Sequence, residues 1–207
     1  MVRRGKFITF EGIEGAGKST NINLLAEYIE SIGHNVMVTR EPGGTDLGEK
    51  IRRVLLDSDQ GSIEPLTELF LMFSARIQHL EEKIKPALEI GTWVFCDRFT
   101  DSSIAYQGAG RGLGIDFVSS LATLALNGFV PDLTIILDID PEEGLQRAAQ
   151  KGKADRFEKE SLDFFRAVRH EFVEMTKKDP RFFLMNGSLS IQEIQDELRS
   201  VIGARFE

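Results

Sequence analysis

The stretch Gly12-Ile13-Glu14-Gly15-Ala16-Gly17-Lys18-Ser19 constrains this chain more than any other. It fits G-x-x-x-x-G-K-[ST], a loop whose backbone N–H groups cradle phosphates. Before it, Lys6 to Glu11 reads K-F-I-T-F-E, a short apolar run rich in β-branched and aromatic residues, which predicts a buried strand. After it, Ile22, Leu25, Ala26, Ile29 and Ile32 fall at helical spacing. The loop therefore joins a strand end to a helix N-terminus, where aligned N–H groups and the helix dipole favour polyanions. In that setting Lys18 reaches the β- and γ-phosphates of a nucleotide, and the Ser19 hydroxyl ligates Mg²⁺. The nucleotide-binding stretch is Gly12, Ile13, Glu14, Gly15, Ala16, Gly17, Lys18, Ser19 and Thr20.

Further apolar runs predict four more strands, at Val36–Thr39, Thr92–Asp97, Leu133–Asp138 and Arg181–Met185. Helical patterns lie between them. Continuously apolar strands alternating with helices predict a five-stranded parallel sheet in a three-layer α/β/α sandwich. Ligands then bind at the C-terminal strand ends, where the phosphate loop, Arg40 and Asp97-Arg98 fall. From Glu64 to Glu89, Leu66, Phe70, Phe73, Ile77, Leu80 and Ile84 form a stripe, predicting a long helix that Pro86 kinks or divides. Its length suggests pairing with a second copy through about 64–85. Arg98 to Gly114 reads as a polar, Gly-rich segment. Asp116 is predicted to cap a helix beginning at Phe117, and Asp140 caps another, with Pro141 at its first position.

At 207 residues the chain is expected to form one domain, with a small lid at about 148–160 where Lys151-Gly152-Lys153-Ala154-Asp155-Arg156 separates two helices. The formal charge of −8 argues against a protein that mainly grips nucleic acid. Cys96 is the one cysteine, so the chain forms no intramolecular disulfide and no Cys-rich zinc site. No apolar run approaches a membrane span, and the basic N-terminus lacks the h-region of a signal peptide, so the expected location is cytoplasmic. A GTP-binding switch needs Asn-Lys-x-Asp and Asp-x-x-Gly. None of the five asparagines is followed by lysine, and no aspartate has glycine at the third position after it. A nucleic-acid-dependent ATPase is disfavoured by the acidic balance.

Asp97 ends an apolar strand, the place of the acid that holds Mg²⁺ in phosphate-loop enzymes. Arg40, Arg76 and Arg98 are candidate clamps for the several negative charges of a triphosphate and a phosphorylated acceptor. Four segments resemble the thymidylate kinase family: F-I-T-F-E-G-I-E-G-A-G-K-S-T from Phe7, T-R-E-P-G-G-T-D-L-G-E-K-I-R from Thr39, D-R-F-T-D-S-S-I-A-Y-Q-G-A-G-R-G from Asp97 and A-D-R-F-E-K-E-S-L-D-F-F from Ala154. The resemblance implies the nucleoside-monophosphate kinase type of P-loop NTPase fold and a homodimer. It also implies phosphorylation of dTMP by ATP and Mg²⁺ on the way to dTTP.

By that resemblance Glu14 binds the acceptor's 3′-hydroxyl and orients an arginine, and Arg40 and Arg98 hold the dTMP phosphate. Arg76 bonds a thymine carbonyl, Ser103 reads thymine N3, and the Tyr106 ring disfavours ribose. Ser102 and Gln107 lie in the same run and join the acceptor-binding set. Ser19 and Asp97 are the metal residues, and Lys18, Arg98, Lys151 and Arg156 are the catalytic cations. Two departures stand out. Met72 occupies the position where the family usually stacks phenylalanine on thymine, so either Met72 or the adjacent Phe73 covers the base. Gly15 occupies a place that in one branch of the family carries the catalytic arginine, which assigns that role here to the basic residues of the lid, in the bacterial-type arrangement. Another monophosphate or deoxynucleoside kinase is the alternative that Met72 leaves open.

Overall fold

The computed structural model describes residues 4–57, 61–150 and 155–206. Five strands, β1 (Phe7–Glu11), β2 (Val36–Arg40), β3 (Trp93–Asp97), β4 (Leu133–Asp138) and β5 (Phe182–Asn186), form one sheet in the order β2-β3-β1-β4-β5. Every neighbouring pair is parallel. Side chains alternate between two cores, as a pleated strand requires. Ile8, Phe10 and Phe95 face a core shared with α1 (Lys18–Ser31), α8 (Leu162–Thr176) and α9 (Ile191–Phe206). Phe7, Val94 and Cys96 face a second core with α3 (Pro65–His79), α4 (Lys85–Glu89) and α6 (Ile115–Ala125). Both faces are covered, which explains the absence of polar alternation in β1 and β3. The remaining helices are α2 (Asp46–Leu56), α5 (Thr100–Ser103) and α7 (Pro141–Ala149). Among the described residues, no helix is long and apolar enough to cross a membrane.

The expected strands are all found, with boundaries shifted by a residue or so. The division of the long helix near Pro86 is also found, and three other local expectations are corrected. The long helix is interrupted by a π-helical turn at Leu80–Ile84 before it resumes as α4. Pro86 lacks an N–H and its ring crowds the preceding turn, and widening that turn accommodates both. Its apolar stripe also splits. Phe73, Leu80 and Ile84 are buried, whereas Leu66, Phe70 and Ile77 are 40–50% exposed. The inward face instead includes Glu68, Arg76 and His79, each with buried polar partners. The Arg98–Gly114 segment is largely helical, as α5 followed by a π-helical stretch at Ile104–Gly110. Finally, α6 starts from Gly114 with no side-chain cap, and Asp116 lies inside its first turn. Asp140 does cap α7, accepting from the Glu142 N–H at 2.9 Å.

Candidate active site

The C-terminal ends of β1, β2 and β3 converge on a cleft of about 290 Å³. One wall is the phosphate loop. Gly12 sits at φ 131°, where a Cβ would strike the Leu137 carbonyl at 2.4 Å. Gly15 sits at φ 73°, and a Cβ there would lie 1.9 Å from the Gly144 carbonyl of α7. The close approach of α7 therefore excludes any side chain at Gly15, which explains structurally why no arginine occupies that place. Ile13 and Ala16 are buried in the core and contribute backbone, while Thr20 is exposed on α1.

Lys18 donates to the Gly12 and Ile13 carbonyls, both at 2.9 Å. Burial, reinforced by Arg98, pulls its pKa down to about 8, against the opposing pull of Asp97, Glu14 and Glu11. The Ser19 hydroxyl donates to Asp97 Oδ2 at 2.7 Å, so the two residues expected to serve Mg²⁺ are in contact. Their oxygens are the hard donors that Mg²⁺ takes, so the pair fits that ion.

Arg98 has a left-handed backbone, φ 70°, unusual for a residue with a Cβ. Its N–H donates to the Phe10 carbonyl at 2.9 Å, and the next N–H, of Phe99, donates to Glu11 Oε1 at 2.8 Å. Glu11 also accepts from the Ser102 hydroxyl at 2.5 Å. Burial, helped by Asp101, raises the Glu11 pKa to about 7. This anchoring aims the guanidinium of Arg98 back over the phosphate loop. There it donates to Glu14 Oε1 at 2.9 Å, to the Gly12 carbonyl at 3.0 Å and to Ser102 Oγ at 3.2 Å. The other Glu14 oxygen accepts from the Tyr106 hydroxyl at 2.7 Å. Burial and Glu14 push the Tyr106 pKa well above its ordinary value, against the pull of Arg98.

Arg76 is almost fully buried and lies in a rigid nest. Its Nε donates to Glu41 Oε2 at 2.6 Å, Nη1 to Ser103 Oγ at 2.9 Å and Nη2 to the Phe99 carbonyl at 2.9 Å. His79 Nδ1 lies 3.0 Å from the other Glu41 oxygen, and its Nε2 lies 2.7 Å from Thr39 Oγ1. Arg40, by contrast, is 55% exposed and pairs with Glu49 at 3.2 Å. Met72, Arg76, Arg98, Ser102, Ser103, Tyr106 and Gln107 all line the cleft.

Phe73 does not line it: its ring packs in the second core beneath the Arg76 guanidinium, 4.9 Å from ring centroid to Cζ. A one-residue step on a helix turns a side chain by about 100°, so Met72 rather than Phe73 faces the cleft. Arg156 is also absent from the cleft lining, although Asp155, Phe157 and Glu158 are present. Its guanidinium lies 2.6 Å from Glu68 Oε2 and donates to the Leu55 carbonyl at 2.8 Å. These contacts hold it against α2 and α3. Lys151 lies outside the described residues. Glu41, Pro42, Arg52 and Leu56 are lining residues that single-residue reasoning missed, although Glu41, Pro42 and Arg52 stood within the quoted T-R-E-P-G-G-T-D-L-G-E-K-I-R run. Arg52 donates to the Pro42 carbonyl at 2.9 Å.

The comparisons with known proteins agree with this geometry. The family model described as thymidylate kinase matches residues 10–198. The chain belongs to the thymidylate kinase family. It is 45% identical to thymidylate kinase of Hahella chejuensis over 206 residues, covering 99% of each chain. It is 49% identical to thymidylate kinase of Pseudomonas fluorescens strain Pf0-1 over 199 residues, covering 96% of this chain and 95% of the other. Among solved structures, the crystal structure of thymidylate kinase from Ehrlichia chaffeensis superposes with a TM-score of 0.78 at 35% identity, covering 96% and 99% of the two chains. Thymidylate kinase membership thus extends over nearly the whole chain, both walls of the cleft included.

Proposed function

We propose that this chain transfers the γ-phosphoryl group of ATP to dTMP. The observation that carries the reading is the Arg98–Glu14–Tyr106 cluster. It joins the phosphate loop, which holds the donor, to the element that carries the acceptor groups. Glu14 therefore serves both substrates: its backbone belongs to the donor loop and its carboxylate faces the acceptor's sugar. Tyr106, pressed against it, leaves little room for a 2′-hydroxyl.

The acceptor phosphate lies between Arg98 and Arg40, and the base lies over Met72 with Arg76 at its carbonyl edge. The Arg76 donors and the Met72 thioether suit a flat pyrimidine whose edge accepts and whose face is apolar. The ATP phosphates follow the N–H groups of Gly12–Ser19, with Lys18 at the β- and γ-positions. Ser19 and Asp97 would hold Mg²⁺, which neutralises charge on the β- and γ-phosphate oxygens when bound with ATP. The acceptor oxygen needs no general base, because a phosphate's second pKa is about 6 and the nucleophile is already ionised at neutral pH. Catalysis by the chain is alignment plus preorganised positive charge from Lys18 and Arg98.

A coupled ADP-release assay with ATP and Mg²⁺ tests this, offering dTMP, dUMP, TMP, dCMP and thymidine as acceptors. The highest kcat/KM is expected for dTMP, and a clear preference for another acceptor overturns the assignment. The exposed row Leu66, Phe70 and Ile77 on α3 supports a homodimer through that face. Sedimentation that finds only monomer at micromolar concentration removes that part.

A further inference from the structure

Glu68 lies fully buried on α3, one turn before Met72 and two before Arg76. A buried carboxylate is costly unless paired and hydrogen-bonded, and this one gathers three partner residues from two other parts of the chain. Gln107 Nε2 donates to Glu68 Oε1 at 2.8 Å. Arg111 bonds both oxygens, Nε to Oε1 and Nη2 to Oε2, each at 3.2 Å. Arg156 Nη2 approaches Oε2 to 2.6 Å as a charge contact. The second charge of the arginine pair is balanced by Glu160, whose Oε1 accepts from Arg111 Nη1 at 2.6 Å. Phe157 lies between the two guanidinium groups, with its ring centroid 4.5 Å from Arg156 Cζ and 5.6 Å from Arg111 Cζ. The same ring meets Tyr106 edge-on at 5.9 Å. The backbone of Arg156 is tied as well, its N–H donating to the Leu56 carbonyl at 3.3 Å.

We propose that Glu68 is a positioning residue that locks the 155–160 segment to the acceptor wall, and that Arg156 acts on the reaction through this lock rather than on the phosphates. Residues on both sides of the lock line the cleft: Met72, Arg76, Tyr106 and Gln107 on one, Asp155, Phe157 and Glu158 on the other. Loosening the node moves Gln107 and the helix that carries Met72, and it frees the Phe157 ring that supports Tyr106. The proposal rests on the reading of the cleft as the dTMP and ATP site.

A double-mutant cycle on the full-length protein decides it. Glu68→Gln, Arg156→Ala and the double variant are assayed with ATP and dTMP, each checked by circular dichroism and a thermal melt. Arg156→Lys replaces Arg156→Ala in the cycle if the alanine variant does not fold. Each single variant is expected to lower kcat/KM for dTMP by roughly tenfold, with a raised dTMP KM. The double variant is expected to be no worse than the more severe single one, because both remove the same lock. Losses that multiply in the double variant overturn the proposal, since they mean that Arg156 acts on substrate without Glu68. A single variant that lowers only the melting temperature, with kinetic constants unchanged, also overturns it. Inactivity of the unmodified protein toward dTMP is a separate failure, that of the function itself.

Discussion

Arg76 and Arg40, at opposite ends of the proposed acceptor site, are held in opposite ways. At the base end, Arg76 is sunk into the protein and all three of its nitrogens donate to fixed protein oxygens. At the proposed phosphate end, Arg40 stands half in solvent against Glu49, while Arg98 is fixed by Glu14, the Gly12 carbonyl and Ser102. In the proposed reading a neutral pyrimidine brings weak acceptors, so its reader must be oriented in advance, and the buried Arg76–Glu41 pair supplies that orientation. A phosphate brings its own charge and can draw a mobile arginine into place. Arg76 and Arg98 are therefore both held in advance by protein oxygens, and Arg40 is the cation left for the ligand to organise.

The largest expected effect separates Arg98 from the rest. Arg98→Ala should lower kcat by about a thousandfold, in the range seen when one preorganised charge-stabilising donor is removed, while circular dichroism shows an intact fold. Near-normal turnover in that variant would remove Arg98 from the catalytic set. Next comes the base end. Arg76→Ala strands Glu41 in the interior, and breaking a buried pair on one side costs about 3–5 kcal/mol of stability. Urea unfolding should show the loss, and a variant as stable as the parent would mean that the nest is not a structural unit. Arg40→Ala is the contrasting case. Its pair is exposed, so stability should be unchanged within about 0.5 kcal/mol, while the dTMP KM rises about tenfold. Equal stability losses for Arg40 and Arg76 would dissolve the contrast between the two ends.

Two smaller effects follow from proton binding. Lys18 has its pKa pulled down to about 8 by burial. Polyphosphate oxygens favour its charged form, so ATP binding near pH 8 to 9 should take up a fraction of a proton. Calorimetry in two buffers of different ionisation enthalpy measures this, and identical heats in both would refute it. Glu11 is shifted the other way, up to about 7 from 4.5. The folded chain then binds more protons than the unfolded chain between those values. Stability contributed by Glu11 is full below about pH 4.5 and is lost as pH rises toward 7. Glu11→Gln should flatten that decline in urea unfolding followed across the window. An unchanged slope would place the pH dependence elsewhere.

Much of the fold is legible locally. The phosphate loop, five strands and most helices follow from runs and spacings of a few residues, because backbone preference and burial periodicity act over that range. The inward face of α3 is different. Leu66, Phe70 and Ile77 look like core by apolar spacing, yet Glu68, Arg76 and His79 lie inside instead. A charged side chain is stable in the interior when distant residues complete its hydrogen bonds, and no local pattern announces those partners. For the same reason the choice between Met72 and Phe73 stayed open: the quoted motifs do not say which way the helix is rolled.

By itself, then, the sequence determined a parallel α/β sandwich, a phosphate-loop motif at a strand end and a set of candidate acceptor residues around it. These depend on short-range spacing and on residue types at matching positions. Tertiary structure decided that Met72 and not Phe73 faces the cleft, that α7 closes off any side chain at Gly15, and that Arg156 rests on Glu68 rather than at the phosphate loop. The physical reason is common to all three. Each depends on which atoms from remote segments meet within a few ångströms, and packing and charge pairing across the sheet and its helices settle that only when the chain is folded.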